Sequence, residues 1–252
     1  MIIEPTFAKM APAIIHTPRL FISHAKDSRE RSMNLVHMMG GILFRFSGPQ
    51  LTSVELRVLQ GLVAFAGLQR QGFGVANAEP SDDVERLLCH SAALRTTCNK
   101  LAGAIGYRIN SGSAQSAIRA AIEKLAAVEI AICSVGSPDA PNLSAGRLIS
   151  NAASCRGIDV ALSPVLAAAV HGGRGTYLRT DLLEARRLTS DAARLLHHRL
   201  HWINTGSNRD VSLDKMIGYV WPSEEVSASA YRTRRQVLRT ALGQLTALGW
   251  SV

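Results

Sequence analysis

Four arginines lie close together near the end of the chain, at Arg232, Arg234, Arg235 and Arg239. The guanidinium group is planar, and it donates paired hydrogen bonds to a guanine edge or to phosphate oxygens. At about 100° per residue on a helix, Arg232, Arg235 and Arg239 share one flank, whereas Arg234 points nearer the apolar face. The spacing therefore predicts a cationic helix face that contacts DNA, and the alternative is a solvated basic face without a ligand.

Other polar residues are predicted to join this surface. Ser229 and Tyr231 stand at the start of the same helix. A second helix, predicted over residues 113–128, exposes Gln115, Ser116 and Arg119, which are polar groups able to reach base edges. The charge of this second set is slight, so ordinary surface residues remain the alternative.

No arrangement of residues for catalysis or metal binding stands out. His197 and His201 have the i, i+4 spacing of zinc ligands, but no glutamate lies between them and no third ligand is evident nearby. The chain has no GxxxxGK[ST] segment for a triphosphate, and no His-hydrophobe-His motif of a nicking enzyme accompanies Tyr219 or Tyr231. We therefore predict no catalytic residue, no metal, no cofactor and no enzyme activity.

The composition favours a polyanionic partner. The 252 residues include 28 Lys and Arg against 19 Asp and Glu, a formal net charge of +9, which points to nucleic acid before membrane. No apolar run approaches the roughly 20 residues of a membrane-spanning helix. Cys89, Cys98, Cys133 and Cys155 are widely spaced without a CxxC pair, and they are interpreted as buried thiols of a cytoplasmic protein.

The spacing of apolar residues, and the residues that begin and end helices, predict a winged-helix domain in the first part of the chain. Thr52 or Ser53 begins a helix that Gly67 ends. A short helix, a tight turn, a longer helix and two strands joined by a turn follow, which is the order of a winged helix. The predicted segments are a strand at 42–46, helices at 52–66, 98–105 and 113–128, and the strand pair 128–135 and 147–153.

A similar order recurs later in the chain. Ser227 or Ser229 begins a long helix that ends at Gly249. The predicted segments are helices at 182–188 and 190–203, a strand at 209–213, a helix at 214–219, a turn at 221–223 and a strand that starts at Trp250. The predicted fold class is α+β, mainly helical, with two tandem winged-helix domains.

Three regions follow from this order. Residues 1–40 are predicted to form a partly disordered N-terminal arm. Residues 41–172 form the first winged-helix domain and residues 173–252 the second. The glycine-rich residues 172–175 are interpreted as the hinge between the domains.

Several stretches of the sequence resemble the RepC-type replication initiators of IncQ-family plasmids. The resemblance covers most of the chain from Phe46 onward, and it implies two winged helices that contact one DNA repeat. It also places the Arg232 to Arg239 segment in the recognition region of the second domain. The matching stretches are FSGP (46–49), LRVLQGLVA (56–64), ARLLH (193–197) with Arg199 and Leu200, GYVWPSE (218–224) and ALGW (247–250), together with Arg232, Arg234 and Arg235.

This resemblance implies an initiator that binds repeated double-stranded DNA sequences, called iterons, at a plasmid origin. The implied partners are the origin DNA and a plasmid-encoded helicase and primase, with the protein a monomer on DNA or a weak dimer. Two departures matter: residues 69–93 match poorly, and the family continues past residue 252 into a second wing, whose DNA contacts are expected to be missing. A winged-helix transcription regulator that binds operator DNA as an obligate dimer is the alternative.

Overall fold

The computed structural model describes residues 4–23, 32–69, 92–133, 142–154, 157–172, 177–201, 209–221 and 226–251. The helices are α1 (Pro12–His16), α2 (Ser53–Gln69), α3 (Cys98–Ile105), α4 (Gly112–Ala126), α5 (Pro164–His171), α6 (Leu182–Arg187), α7 (Asp191–Leu200), α8 (Leu213–Val220) and α9 (Ala228–Thr246). The strands are β1 (Phe7–Met10), β2 (Phe21–Ile22), β3 (Ser32–Met39), β4 (Ile42–Pro49), β5 (Leu51–Thr52), β6 (Ala92–Thr96), β7 (Glu129–Cys133), β8 (Asn142–Arg147), β9 (Ile149–Ser154), β10 (Gly157–Leu162) and β11 (Leu178–Asp181).

Helix α2 is the centre of the core. It begins with a capping box, in which the Thr52 amide donates to Glu55 Oε2 at 2.6 Å and the Val54 amide donates to Thr52 Oγ1 at 3.2 Å. From Leu56 to Ala66 every residue is buried, because α3, α4, β1 and β6 pack around the helix. Most side chains of the helix are apolar and lie on all its sides, with Arg57 and Gln60 buried among them, so the helix lies inside the fold.

Four sheets surround this helix. The largest has the order β3-β4-β7-β8, with antiparallel neighbours, and its inner face buries Phe44 and Phe46. A three-stranded sheet has the order β6-β10-β9, and two ribbons pair β1 with β11 and β2 with β5. The buried side chains form one cluster that runs from Ala8 to Leu245.

The helices of the sequence analysis correspond closely to α2, α3, α4, α6, α7, α8 and α9, although α2 continues past Gly67. Helix α5 and strands β3, β6, β8, β10 and β11 were not predicted. Two strand predictions were wrong. Residues 209–212 have no regular structure, because the Ser212 hydroxyl accepts from the Lys215 amide and begins α8. Trp250 and Ser251 form no strand.

The predicted hairpin of residues 128–135 and 147–153 was also wrong. Strand β7 pairs with β4 and β8, whereas β9 pairs with β10. Strand β8 has the sequence NLSAGR, which has little β-propensity, and it is held by pairing with β7 rather than by a local preference. The turn predicted within this hairpin, at residues 136–139, lies outside the described residues, as do residues 222–223 of the turn predicted at 221–223.

The predicted N-terminal arm is folded in its described parts, residues 4–23 and 32–40. They supply β1, α1, β2 and β3, and they bury Met10, Ile14 and Ile15 almost completely. α1 and β2 have five and two residues, too few to show a period in the sequence, so only their packing partners reveal them. The division at residue 172 stays a prediction, and residues 173–175 of the predicted hinge lie outside the described residues.

Cys98 and Cys133 are both buried, which agrees with their interpretation as buried thiols. Cys89 and Cys155 lie outside the described residues. Among the described helices, none combines the length and the apolar character needed to cross a bilayer.

Gly48 is expected to be a sensitive position in the largest sheet. Its φ is +133°, and a Cβ there would lie 2.7 Å from the Ala127 carbonyl oxygen. Gly48→Ala should therefore lower the free energy of unfolding by about 3 kcal/mol, through backbone strain and this clash. Urea unfolding measures the change. Gly146→Ala is the control, since nothing lies within 4 Å of its Cβ position. Equal urea midpoints for Gly48→Ala and Gly146→Ala would contradict the strain and the clash expected at Gly48.

Candidate nucleic-acid interface

Helix α9 is anchored along one face only. The Ser227 hydroxyl accepts from the Ala230 amide at 3.2 Å, which confirms Ser227 as the residue that begins the helix. Leu238, Ala241 and Leu245 are buried, and α9 packs against α7 and α8. The opposite face is left to solvent.

Three of the four predicted arginines lie on the exposed side. Arg232, Arg235 and Arg239 are exposed, as is Ser229 one turn earlier. The spacings of three and four residues place the arginines in one strip along the helix. The sequence of α9 contains no Asp or Glu, so no acidic side chain of this helix offsets their charge.

Arg234 and Tyr231 also make contacts within the protein. The Arg234 guanidinium lies 5.7 Å from the centroid of the Trp221 ring, and Arg235 lies 5.9 Å from that of Tyr231. The Tyr231 hydroxyl donates to the carboxylate of Asp214 on α8, and this hydrogen bond raises the pKa of the phenol. Tyr231 therefore ties α9 to α8 and is less readily ionised than a free tyrosine.

In the first part of the chain, α3 and α4 form a helix-turn-helix. The Thr97 hydroxyl accepts from the Lys100 amide at 3.3 Å and begins α3, and Gly106 ends it with a φ of +74°. Ser111 begins α4 by accepting from the Ala114 amide at 3.4 Å. Strands β7 and β8 follow α4 along the chain and pair with each other.

The predicted residues of α4 differ in their surroundings. Ser116 and Arg119 are exposed. Gln115 is half-buried, and its Nε2 donates to Asn99 Oδ1 at 3.1 Å, while Asn99 Nδ2 donates to Asn110 Oδ1 at 2.7 Å. Asn110 adopts a φ of +61° in the turn. The Gln115 amide group thus supports the turn between the helices, with its Oε1 left to accept a further bond.

Two cations near this turn were missed by sequence reasoning. Lys100 on α3 and Arg108 in the turn are both exposed. Neither belongs to a charge run, so only the helix-turn-helix order could have indicated them. In that motif the first helix and the residues around the turn face the phosphate backbone.

The histidines at the end of α7 form a cluster with Glu184 and Trp250. Glu184 Oε2 lies 3.0 Å from His197 Nε2 and accepts from Trp250 Nε1, also at 3.0 Å. The ring of His201 stacks on that of Trp250, and its Nε2 accepts from the Asp181 amide at 3.3 Å. Within the described parts of the chain, no group of three or more His, Cys, Asp or Glu side chains could hold a metal ion.

These contacts shift the titration of the cluster. The pKa of Glu184 falls to about 2, chiefly because His197 donates to its carboxylate. Burial lowers the pKa of His201 to about 3 and that of the fully buried His198 to about 3. The two histidines are therefore neutral at physiological pH. The cluster joins α6, α7 and the end of the chain, which supports α9 from behind.

The architecture has counterparts among solved structures. The chain resembles two structures that contain domains 2 and 3 of RctB. The first matches at a TM-score of 0.54 with 11% identity, over 93% of this chain and 86% of the other. The second matches at a TM-score of 0.59 with 10% identity, over 92% and 82%. At such identities the likeness is one of fold alone, and it confirms the mixed helix-and-strand class. No curated protein sequence matches this chain.

The family itself is defined by sequence. The family model of Replication protein C (RepC) matches residues 3–252, which is nearly the whole chain. The protein therefore belongs to the RepC family, and its role lies in the initiation of replication. The predicted resemblance to RepC-type initiators is confirmed.

Proposed function

We propose that this protein binds repeated double-stranded DNA sequences at a plasmid origin and promotes the loading of a helicase there. The observation that carries the proposal is the exposed arginine strip of α9, on a helix without acidic residues, in a chain of the RepC family. Arginine binds phosphates and guanine edges, so such a strip fits the major groove and its rims.

Two surfaces would share one DNA repeat. Helix α4 presents Ser116 and Arg119, and α9 presents Arg232, Arg235 and Arg239. The order α3, turn, α4, β7, β8 supports a first winged helix. In the second, α8 and α9 would be the helix pair. We propose that the protein binds as a monomer, since one chain carries both surfaces, with a weak dimer as the alternative off DNA.

The further partners follow from the family. A plasmid helicase would load where several copies of the protein occupy the repeats, and a plasmid primase would then start the strands. Occupancy of the repeats would also set copy number. All of these steps belong in the cytoplasm, where the plasmid and its replication machinery meet.

Footprinting tests the proposal. The full chain is incubated with the DNA that flanks its gene, and with duplexes selected from a randomised pool. We expect protection of several direct repeats at one spacing, with at least about 10³-fold preference over random duplex. Protection of a single palindrome would indicate a transcription regulator instead. The absence of any sequence preference would overturn the proposal.

We also propose that the protein has no catalytic activity of its own. With supercoiled origin DNA, Mg²⁺ and ATP, we expect no nicked product and no ATP hydrolysis above a blank. Tyr231 is the most informative control position, because Tyr231→Phe keeps the ring under Arg235. Nicking by the wild type that this variant loses would show that Tyr231 is a nucleophile.

A further inference from the structure

We infer that residues 4–23, here called the N-terminal strap, set the position of α9 relative to α4 and so determine the spacing of the DNA elements that the protein accepts. This inference rests on the proposed function. It assigns a positioning role to residues that lie outside the two proposed DNA-binding faces.

The first half of the strap is paired with the start of the second predicted domain. The predicted domains, residues 41–172 and residues 173–252, are called the first and second units below. Strand β1 lies antiparallel to β11, with Phe7 opposite Asp181 and Met10 opposite Leu178. The pairing continues beyond the strands, because the Leu182 amide donates to the Thr6 carbonyl at 2.9 Å. β11 leads directly into α6, so this ribbon determines where α6 begins.

The salt bridge at the beginning of the strap extends this attachment. Arg186 Nη1 lies 3.1 Å from Glu4 Oε2 and also donates to the Gly103 carbonyl at 3.3 Å. Gly103 belongs to α3, the first helix of the helix-turn-helix. A single arginine of α6 therefore contacts both the strap and the first unit.

The second half of the strap holds the helices that support α9. The Arg199 guanidinium, on α7, donates to the Ile15 carbonyl. The Ser23 amide donates to the carbonyl of Val220, the last residue of α8, at 3.0 Å. The ring of Phe21 meets that of His198 edge-on, with the centroids 5.6 Å apart. Since α9 packs on α7 and α8, these contacts fix the position of the two helices that support α9.

The same segment is attached to the first unit along its length. Strand β2 is parallel to β5, with Phe21 beside Leu51, and Gln50 Nε2 donates to the Arg19 carbonyl at 2.8 Å. Strand β1 packs on α2, and Met10 and Ile14 are buried in the common core. The strap is thus bound on both sides, whereas a simple tether would be bound at its ends only.

Direct contacts between the units also exist, such as the bond from Ser53 Oγ to Asp191 Oδ1 at 2.6 Å. Loosening the strap should therefore widen the range of positions of α9 without separating the units. Two recognition helices held at a fixed distance require their DNA elements on the same side of the duplex. The spacing of the elements must therefore match the helical repeat of B-DNA, about 10 to 10.5 base pairs. Looser units tolerate other spacings, at the expense of affinity.

The experiment uses the full chain with Arg199→Met and Glu4→Gln combined. Met keeps much of the apolar stem of Arg199 while it removes the donor to Ile15. Glu4→Gln alone is a second variant, since its side chain is 51% exposed and its loss should not impair folding. Arg95→Met, on β6 and away from the strap, is the matched control. Arg199→Lys, which keeps a donor, should restore most of the wild-type behaviour.

The first readout needs no DNA. Spin labels are attached at Ser116→Cys and Gln236→Cys, which are exposed positions on α4 and α9, with Cys89 and Cys155 replaced by serine. We expect one narrow distance distribution for the wild type and the Arg95→Met control. The double variant should give a distribution at least about twice as wide, with Glu4→Gln in between. Equal widths for all the proteins would overturn the inference.

The second readout uses a duplex selected by the wild type, with five base pairs inserted between its two protected segments. The insertion turns one element to the opposite side of the helix, so it should weaken wild-type binding by about 100-fold or more. The double variant should bind the parent duplex several-fold more weakly and lose less than about tenfold on insertion. Equal losses for both proteins would contradict the strap's role. If no duplex can be selected, the proposed function fails, while the label distances still decide whether the strap fixes α9.

Discussion

Alanine at Arg232, Arg235 and Arg239 together is expected to weaken cognate DNA binding by at least about 100-fold, because base contacts contribute about 1–3 kcal/mol each and phosphate contacts add to them. The single variants should differ in kind. Loss of a phosphate contact should weaken cognate and random DNA alike, and lower the slope of log affinity against log salt by about one. Loss of a base contact should act mainly on the cognate repeat.

Affinities for both DNAs over a salt series separate these cases. Arg95→Ala is the control for net charge, since this arginine lies on β6 and pairs with Asp159 at 2.5 Å. Arg234→Ala should affect DNA binding less than the other three, because its guanidinium lies over Trp221. Unchanged cognate affinity in the triple variant would show that α9 is not a recognition helix.

Acid is expected to unfold the protein well above the pH at which carboxylates are usually protonated. His198 and His201 have pKa values lowered from 6.5 to about 3, chiefly because burial penalises the charged form of each ring. Between pH 6.5 and about pH 3, the two histidines bind protons in the unfolded chain but not in the folded chain. The contribution of these two histidines to the free energy of unfolding is therefore constant above pH 6.5. It falls as the pH drops toward 3, by up to about 1.4 kcal/mol per pH unit for each histidine.

Urea unfolding between pH 8 and 4 measures this dependence. His198→Leu removes one titrating group, so its slope between pH 6 and 4 should be smaller than that of the wild type by roughly 1.4 kcal/mol per pH unit. Glu184→Gln separates the carboxylate, because the pKa of Glu184 is lowered from 4.5 to about 2 and its contribution is lost only below pH 4.5. An identical slope in the wild type and His198→Leu would show that His198 does not carry this effect.

The attachment of the strap bears on how the two proposed DNA-binding faces would act. A hinge between independent domains would let α4 and α9 find their sites separately. The continuous core from Ala8 to Leu245 and the β1–β11 ribbon favour a body whose two proposed faces would meet DNA together. Binding at the second face then costs less free energy, because no flexible segment between the faces has to become ordered.

The features that sequence alone determined are local ones. The start of α9 follows from the hydroxyl of Ser227, and its buried face follows from the spacing of Leu238, Ala241 and Leu245. The bounds of α3 and the arginine strip were predictable for the same reason. Caps and helical periods depend on residues within one or two turns, so their physics can be worked out from a short window.

Only the tertiary structure decided which distant segments meet. The pairing of β1 with β11 joins residues that are more than 160 positions apart, and nothing within the four residues of β1 marks that partner. The bond from the Gln115 amide to Asn99 was not predicted from the sequence, nor were the contacts of the α7 histidines with Glu184 and Trp250. Strand pairing and buried polar contacts depend on which surfaces the whole chain brings together, because each polar group taken from water must find a partner there.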